Sequence, residues 1–165
     1  MGARGIYVAQ ETHVVNLIPP VNVAGGLTSK VFNMKNWEHA SILIQLGVQS
    51  AALKTISLQS SDNGSPANTT PIPFNLHKCE TAYSAANGDV LGPRVAVPNT
   101  GFTPSGTSGI MYVIELDAST LPAGQDYVQV VLTDNSPAAS SVLASLQVIL
   151  SGGRFEHDQS ETVLT

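Results

Sequence analysis

Charge is the scarcest ingredient of this chain. Asp, Glu, Lys and Arg together make up 12% of its 165 residues, about half the share of an ordinary soluble domain. The seven basic residues, Arg4, Lys30, Lys35, Lys54, Lys78, Arg94 and Arg154, are scattered, and the net charge is -5. No basic stripe exists to neutralise a phosphate backbone, so nucleic acid is not an expected partner. A surface of neutral polar residues repels its own copies weakly, which suits a protein packed among neighbours better than a free monomer.

Cysteine is nearly absent as well. The single Cys79 rules out an intrachain disulfide, so packing and sheet hydrogen bonds must hold the fold. Its thiol is either buried and inert or paired with another chain. No run approaches the ~18 apolar residues of a membrane helix. The opening Met-Gly-Ala-Arg-Gly-Ile-Tyr lacks the apolar stretch of a secretory signal, and Ile6 stands where a myristoylation signal needs Ser or Thr. The expectation is a cytosolic origin without a membrane partner. Aromatics are 5% of the chain, with one Trp. That is too few to expect the strip of exposed rings that stacks on sugars, so a carbohydrate-binding β-sandwich is kept only as an alternative.

What the chain does have is two-residue alternation. Over residues 41–48, Ile42, Ile44, Leu46 and Val48 share one face, the period of a pleated strand. Residues 53–60 place Ile56 and Leu58 likewise, and with the small connection 49–52 the two segments read as a hairpin. Residues 62–71 collect Asp, Asn, Gly, Ser and Pro, the chemistry of an exposed loop. Short strands and long loops are expected over 72–108. Residues 110–116 alternate with apolar side chains on both faces, which predicts a strand covered on both sides. Residues 126–133 are rich in Tyr and Val, as strands prefer. Residues 140–150 put Val142, Ala144, Leu146, Val148 and Leu150 at even positions; a helix would smear these around its circumference, so a strand is predicted.

Many short strands between turn residues, with no convincing helix, predict one all-β domain: an antiparallel β-sandwich, jelly-roll-like, with extended N- and C-terminal arms. Residues 1–37 form an N-terminal arm and first strands, 38–153 the sandwich core, and 154–165 a C-terminal tail. Arms of this kind gain order by lying on a neighbouring subunit.

A search for chemistry finds none. His13, His39, His77 and His157 are dispersed, with no spacing that gathers metal ligands. His77 and Cys79 share a strand face, but no oxyanion-stabilising turn accompanies them. Glu156, His157 and Asp158 are neighbours on a tail that cannot hold an acid and a base in fixed geometry. The 105–109 run Ser-Gly-Thr-Ser-Gly lacks the Lys of a phosphate loop. Asn63-Gly64-Ser65 and Asn68-Thr69-Thr70 match glycosylation acceptors but, without a secretory signal, indicate only an exposed loop. No catalytic residue, cofactor, metal or small-molecule substrate is expected, and folding is expected to bring no Asp, Glu and His together in one pocket.

Four segments carry a resemblance: Val15-Asn16-Leu17-Ile18-Pro19-Pro20-Val21; the run 32–47 from Phe32 through Trp37 to Gly47; Tyr112-Val113-Ile114-Glu115-Leu116-Asp117 with Asp126-Tyr127-Val128-Gln129-Val130; and Val148-Ile149-Leu150-Ser151-Gly152-Gly153-Arg154-Phe155. Together they resemble small structural proteins of tailed-bacteriophage heads, of the capsid cement or decoration type. The resemblance implies a β-rich dimer or trimer on the outer face of a virion shell, made in the host cytoplasm and bridging copies of the major capsid protein. Neck, tail or fibre-attachment proteins of the same virion are the alternative. No residue roles come with it. Arg and aromatic side chains anchor interfaces disproportionately, which singles out Arg4, Ile6 and Tyr7 at the front and Arg154 and Phe155 at the back. Tyr7 and Phe155 could equally close the ends of the sandwich, and Trp37 either caps the sheet or joins the interface.

Overall fold

A computed structural model describes residues 5, 7–65, 67–134, 141–153 and 162–164. After a four-residue helix, α1 (Val8–Glu11), come twelve strands: β1 (His13–Asn22), β2 (Leu27–Thr28), β3 (Val31–Asn33), β4 (Trp37–Gln49), β5 (Thr55–Ser61), β6 (Thr70–Ile72), β7 (Phe74–Cys79), β8 (Val95–Val97), β9 (Ile110–Asp117), β10 (Tyr127–Thr133), β11 (Val142–Gly153) and β12 (Val163–Leu164). A 3₁₀ turn, Ala118–Thr120, follows β9. Two antiparallel sheets pack face to face. The first runs β1-β11-β4-β9-β7-β8; the second runs β12-β3-β10-β5-β6, with β2 beside β10. This is the expected all-β sandwich.

Alternation decides the core. β11 buries Val142, Ala144, Leu146, Val148 and Leu150; β4 buries Ala40, Ile42, Ile44 and Leu46; β9 buries Ile110, Tyr112, Ile114 and Leu116. Ile56 and Leu58 of β5 and Val128, Val130 and Leu132 of β10 meet them from the second sheet, in one continuous cluster. Each fully buried aliphatic side chain of this kind contributes roughly 1.5–3 kcal/mol.

Three expectations are corrected. Segments 41–48 and 53–60 do not form a hairpin: β4 is flanked by β11 and β9, whereas β5 lies in the other sheet between β10 and β6. The connection 50–54 drops Leu53 into the core and donates Lys54 N–H to the Thr133 carbonyl. The chain therefore crosses between layers instead of reversing within one. Val48 leaves the core face and is 65% exposed. Gln49 pairs with Val142 and Leu46 with Ala144, so Gly47 and Val48 stand opposite Leu143 alone, a β-bulge that turns the alternation over. The outer face of β9 has no second layer above it among the described residues. Val113 is nonetheless 9% exposed, between Leu43 of β4 and His77 of β7.

Among the described residues, parts of both end segments are built into the sheets. β1 pairs with β11 along its length, and Val15, Leu17, Ile18, Val23, Phe32, Met34 and Trp37 all belong to the core; within 1–37 the strands begin at His13. At the other end β12 pairs with β3, so the final residues of the expected tail extend the second sheet. Pro19 and Pro20 sit where the β1 register slips between Ile18 and Val21. Among the described residues β1 is an edge strand, where a missing N–H on the free side costs no ladder bond, and the register slip accommodates the other.

One glycine is obligatory. Gly101 has φ +82°, and a Cβ there would stand 2.3 Å from the Ile56 carbonyl oxygen. That approach lets Phe102 exchange two backbone hydrogen bonds with Ile56.

Truncating Leu146 to Ala, at the centre of the core, is expected to cost about 2–5 kcal/mol in urea unfolding. Leu143→Ala, three residues earlier and on the opposite, exposed face, costs far less. Equal losses would contradict the inward–outward assignment of β11.

Candidate functional site

Antiparallel register arranges the outward side chains of the first sheet in cross-strand rows. One row reads Val14, Ile149, Ser41, Glu115; the next Asn16, Gln147, Leu43, Val113; a third Ser145, Gln45, Met111. The face is broad, with uncharged polar and aliphatic side chains over most of these rows. Charge enters at one end, where Ser151, His39 and Asp117 form the last row.

There the structure does what the sequence reading did not expect, for it gathers Asp, Glu and His. His39 Nδ1 lies 2.8 Å from Asp117 Oδ1, and its Nε2 lies 2.6 Å from Glu115 Oε2. Ser41 donates its hydroxyl to the same Glu115 oxygen at 2.6 Å. Alternation supplies this geometry: His39 and Ser41 are outward positions of β4, Glu115 and Asp117 outward positions of β9, and the register sets His39 opposite Asp117. Partial burial alone lowers the pKa of His39, but the hydrogen bonds and charges of Asp117 and Glu115 together outweigh it and raise the value above that of an ordinary histidine. Both ring nitrogens are engaged by carboxylates, so neither is left to accept the Ser41 proton. The arrangement is an ion-pair network on an open face and not a nucleophile with its base. Shallow clefts flank it. One of about 390 Å³ is lined by Met34, Glu38, Asp117, Ala118, Ser119 and Asp126, and one of about 180 Å³ includes Asn75, Glu115, Asp117 and Thr120.

Of the proposed interface residues, Arg4, Ile6, Arg154 and Phe155 lie outside the described residues. Tyr7 is 56% exposed just before α1, open to a partner. Trp37 is only 4% exposed and stacks on His13 with ring centroids 5.8 Å apart, so of the two roles left open for it the ring takes the one at the end of the core. His77 and Cys79 do not act together either. His77 Nδ1 is 2.9 Å from the Gly92 carbonyl oxygen, while Cys79 is buried and its thiol donates to Gly88 O. Two exposed tyrosines, Tyr7 and Tyr83, sit at opposite ends of the first sheet, since Tyr83 N–H bonds to Gly109 and Gly109 to Gly47. They form no sugar-stacking strip.

The end bearing Tyr83 is held by a partly buried polar node. Tyr112 donates to Glu80 Oε1 at 2.7 Å and accepts from Ser105 N–H at 2.8 Å. Burial, with the Glu80 carboxylate adding to it, pushes the phenol well above the ordinary tyrosine range.

No protein-family model matches the chain, and no curated protein matches its sequence. Among solved structures it is similar to SPBc2 prophage-derived protein YomS, with a TM-score of 0.46 and 10% identity, over 92% of this chain and 100% of that chain. A similarity of that degree carries no functional information.

Two outcomes test the two nodes. Tyr112→Phe removes the hydrogen bonds to the Ser105 N–H and to the Glu80 carboxylate, which keeps Lys78 at 3.8 Å, and is expected to destabilise the fold by about 0.5–1.5 kcal/mol, read by urea unfolding. Because the folded state raises the His39 pKa, it binds that proton more tightly than the unfolded chain. The resulting stabilisation is complete below the unfolded value and is lost as pH rises through the higher folded value. Wild type minus His39→Gln stability should therefore fall across that window; a pH-independent difference would refute the assignment.

Proposed function

We propose that this chain is a structural virion protein that binds the outer surface of a phage capsid and stabilises the shell by bridging major capsid subunits, as a dimer or trimer. The observation that carries this reading is the outward face of the first sheet. Its central rows hold Asn16, Gln147, Leu43, Val113, Ser145, Gln45 and Met111 without a charge. Charge depletion at the centre of a patch, with charge kept to its edge, is the compositional signal of a protein interface. The resemblance to tailed-phage head proteins supplies the class of partner. In support, the chain enters β1 and leaves β11 at the same end, His13 standing opposite Leu150 and Gly153 opposite Trp37. A subunit that touches several neighbours at once combines modest contacts through a high effective concentration.

The test is reconstitution. Purified protein is added to shells assembled without it, and occupancy and resistance to heat are measured. Saturable binding over the lattice with a raised disruption temperature is expected. Gln45→Glu and Gln147→Glu, which place charge at the centre of the face, are expected to weaken binding about tenfold, equivalent to ~1.4 kcal/mol. No binding, or binding at one vertex or along a tail, would overturn the cement reading; the latter would favour a neck, tail or fibre-attachment role.

A further inference from the structure

The heavy-atom geometry at the end of β4 calls for one more proton than its residue types bring at neutrality. A neutral imidazole has one N–H, and an ionised carboxylate only accepts. Here both ring nitrogens of His39 face carboxylate oxygens within hydrogen-bond distance, Asp117 at 2.8 Å and Glu115 at 2.6 Å. Two donors are required, so the geometry as it stands is that of a doubly protonated ring.

We propose that Asp117–His39–Glu115 is a proton-held latch that fixes the 3₁₀ turn Ala118–Thr120, and the cleft it borders, onto the end of β4, and that loss of the His39 proton releases the Asp117 side.

Asp117 is the weaker end for two reasons. Its side chain is 58% exposed against 31% for Glu115, and Glu115 keeps the Ser41 hydroxyl as a second donor. Once Nδ1 carries a lone pair, it faces the Asp117 oxygen with no proton between them, and the contact becomes repulsive. Asp117 is also the residue from which the turn hangs: Thr120 donates its hydroxyl to the Asp117 carbonyl at 2.7 Å, and Leu121 N–H closes the turn on Ala118 at 3.2 Å.

The other charged groups near the cleft are carboxylates, which favour the protonated ring and repel Asp117 once that proton is lost. Glu38, next to His39 on β4, projects from the opposite face of the strand; it and Asp126 line the cleft with Asp117, so that the cleft holds two further carboxylates. β11 presents the neutral Ser151 opposite His39, and β7 the neutral Asn75 opposite Glu115. Among the described residues neither Glu115 nor Asp117 pairs with a Lys or Arg. His39 is thus the cation that holds these carboxylates together, and freeing Asp117 opens a cleft bordered by Glu38, Asp117 and Asp126. The raised His39 pKa places release above the ordinary histidine range. This device stands on the fold alone and holds whether or not the protein binds a shell.

The experiment joins two measurements on the full chain. Nitrogen-correlated NMR of the ring follows His39, and hydrogen exchange of the Leu121 amide, corrected for intrinsic base catalysis, follows the turn. Both His39 nitrogens are expected to be protonated below its midpoint, and Leu121 exchange to accelerate several-fold above it. Asp117→Asn should lower the His39 midpoint, and His39→Gln should remove the pH dependence of Leu121 exchange. A His39 midpoint no higher than in the urea-unfolded chain, or one unmoved by Asp117→Asn, would overturn the latch, as would the same exchange profile in wild type and His39→Gln. Should His39→Gln fail to fold, the Asp117→Asn shift decides alone.

Discussion

The inward faces of β11, β4 and β9 are the part on which everything else rests. With no disulfide available, the fold is held by burying these side chains against β5 and β10 from the opposite sheet. Because the side-chain period in a strand is two, burying one face fixes which residues the other presents. The neutral outward rows and the acidic network at their end are thus set by the same register that builds the core. A slip of one residue would lose both.

Dependence on packing also explains where polar groups enter the interior. Tyr112 belongs to the β9 row that fills the core, and its ring packs edge-on against Phe102 at 5.0 Å. Its hydroxyl reaches out at one end to Ser105 and Glu80 and ties two loop segments to the sandwich. Ser29 does similar service in the second sheet, accepting the Val130 N–H with its hydroxyl between β2 and β3. The interruption between those two short strands is thus bridged by a side chain, and β10 keeps its partner.

Alternation was legible wherever a strand buries one face without interruption. β11 and β9 could be placed from five and four evenly spaced apolar residues, because a long strand beside a core leaves a strong imprint. β1 left a poor one, since Pro19 and Pro20 break the period at a bulge. The change of sheet between β4 and β5 was invisible because Leu53 looks the same entering a core as opening a hairpin. The His39 network was hidden for another reason. Its members are separated by 76 and 78 positions along the chain, and only the pairing of β4 with β9 brings them together. The available signal was outward polar residues two apart on two strands, His39 with Ser41 and Glu115 with Asp117. Such pairs become a site only once register is known.

The proline pair in β1 has a further consequence. A free strand edge normally invites a second chain to continue the ladder, and repetition of that event yields ribbons and fibrils. Successive N–H groups of a strand point to opposite sides, so the pair removes one donor from the free edge, and the register slip at the same place interrupts the ladder there. Ribbon growth from the β1 edge is therefore disfavoured, and a second chain extending the first sheet would meet fewer obstacles at β8, the strand at its other end.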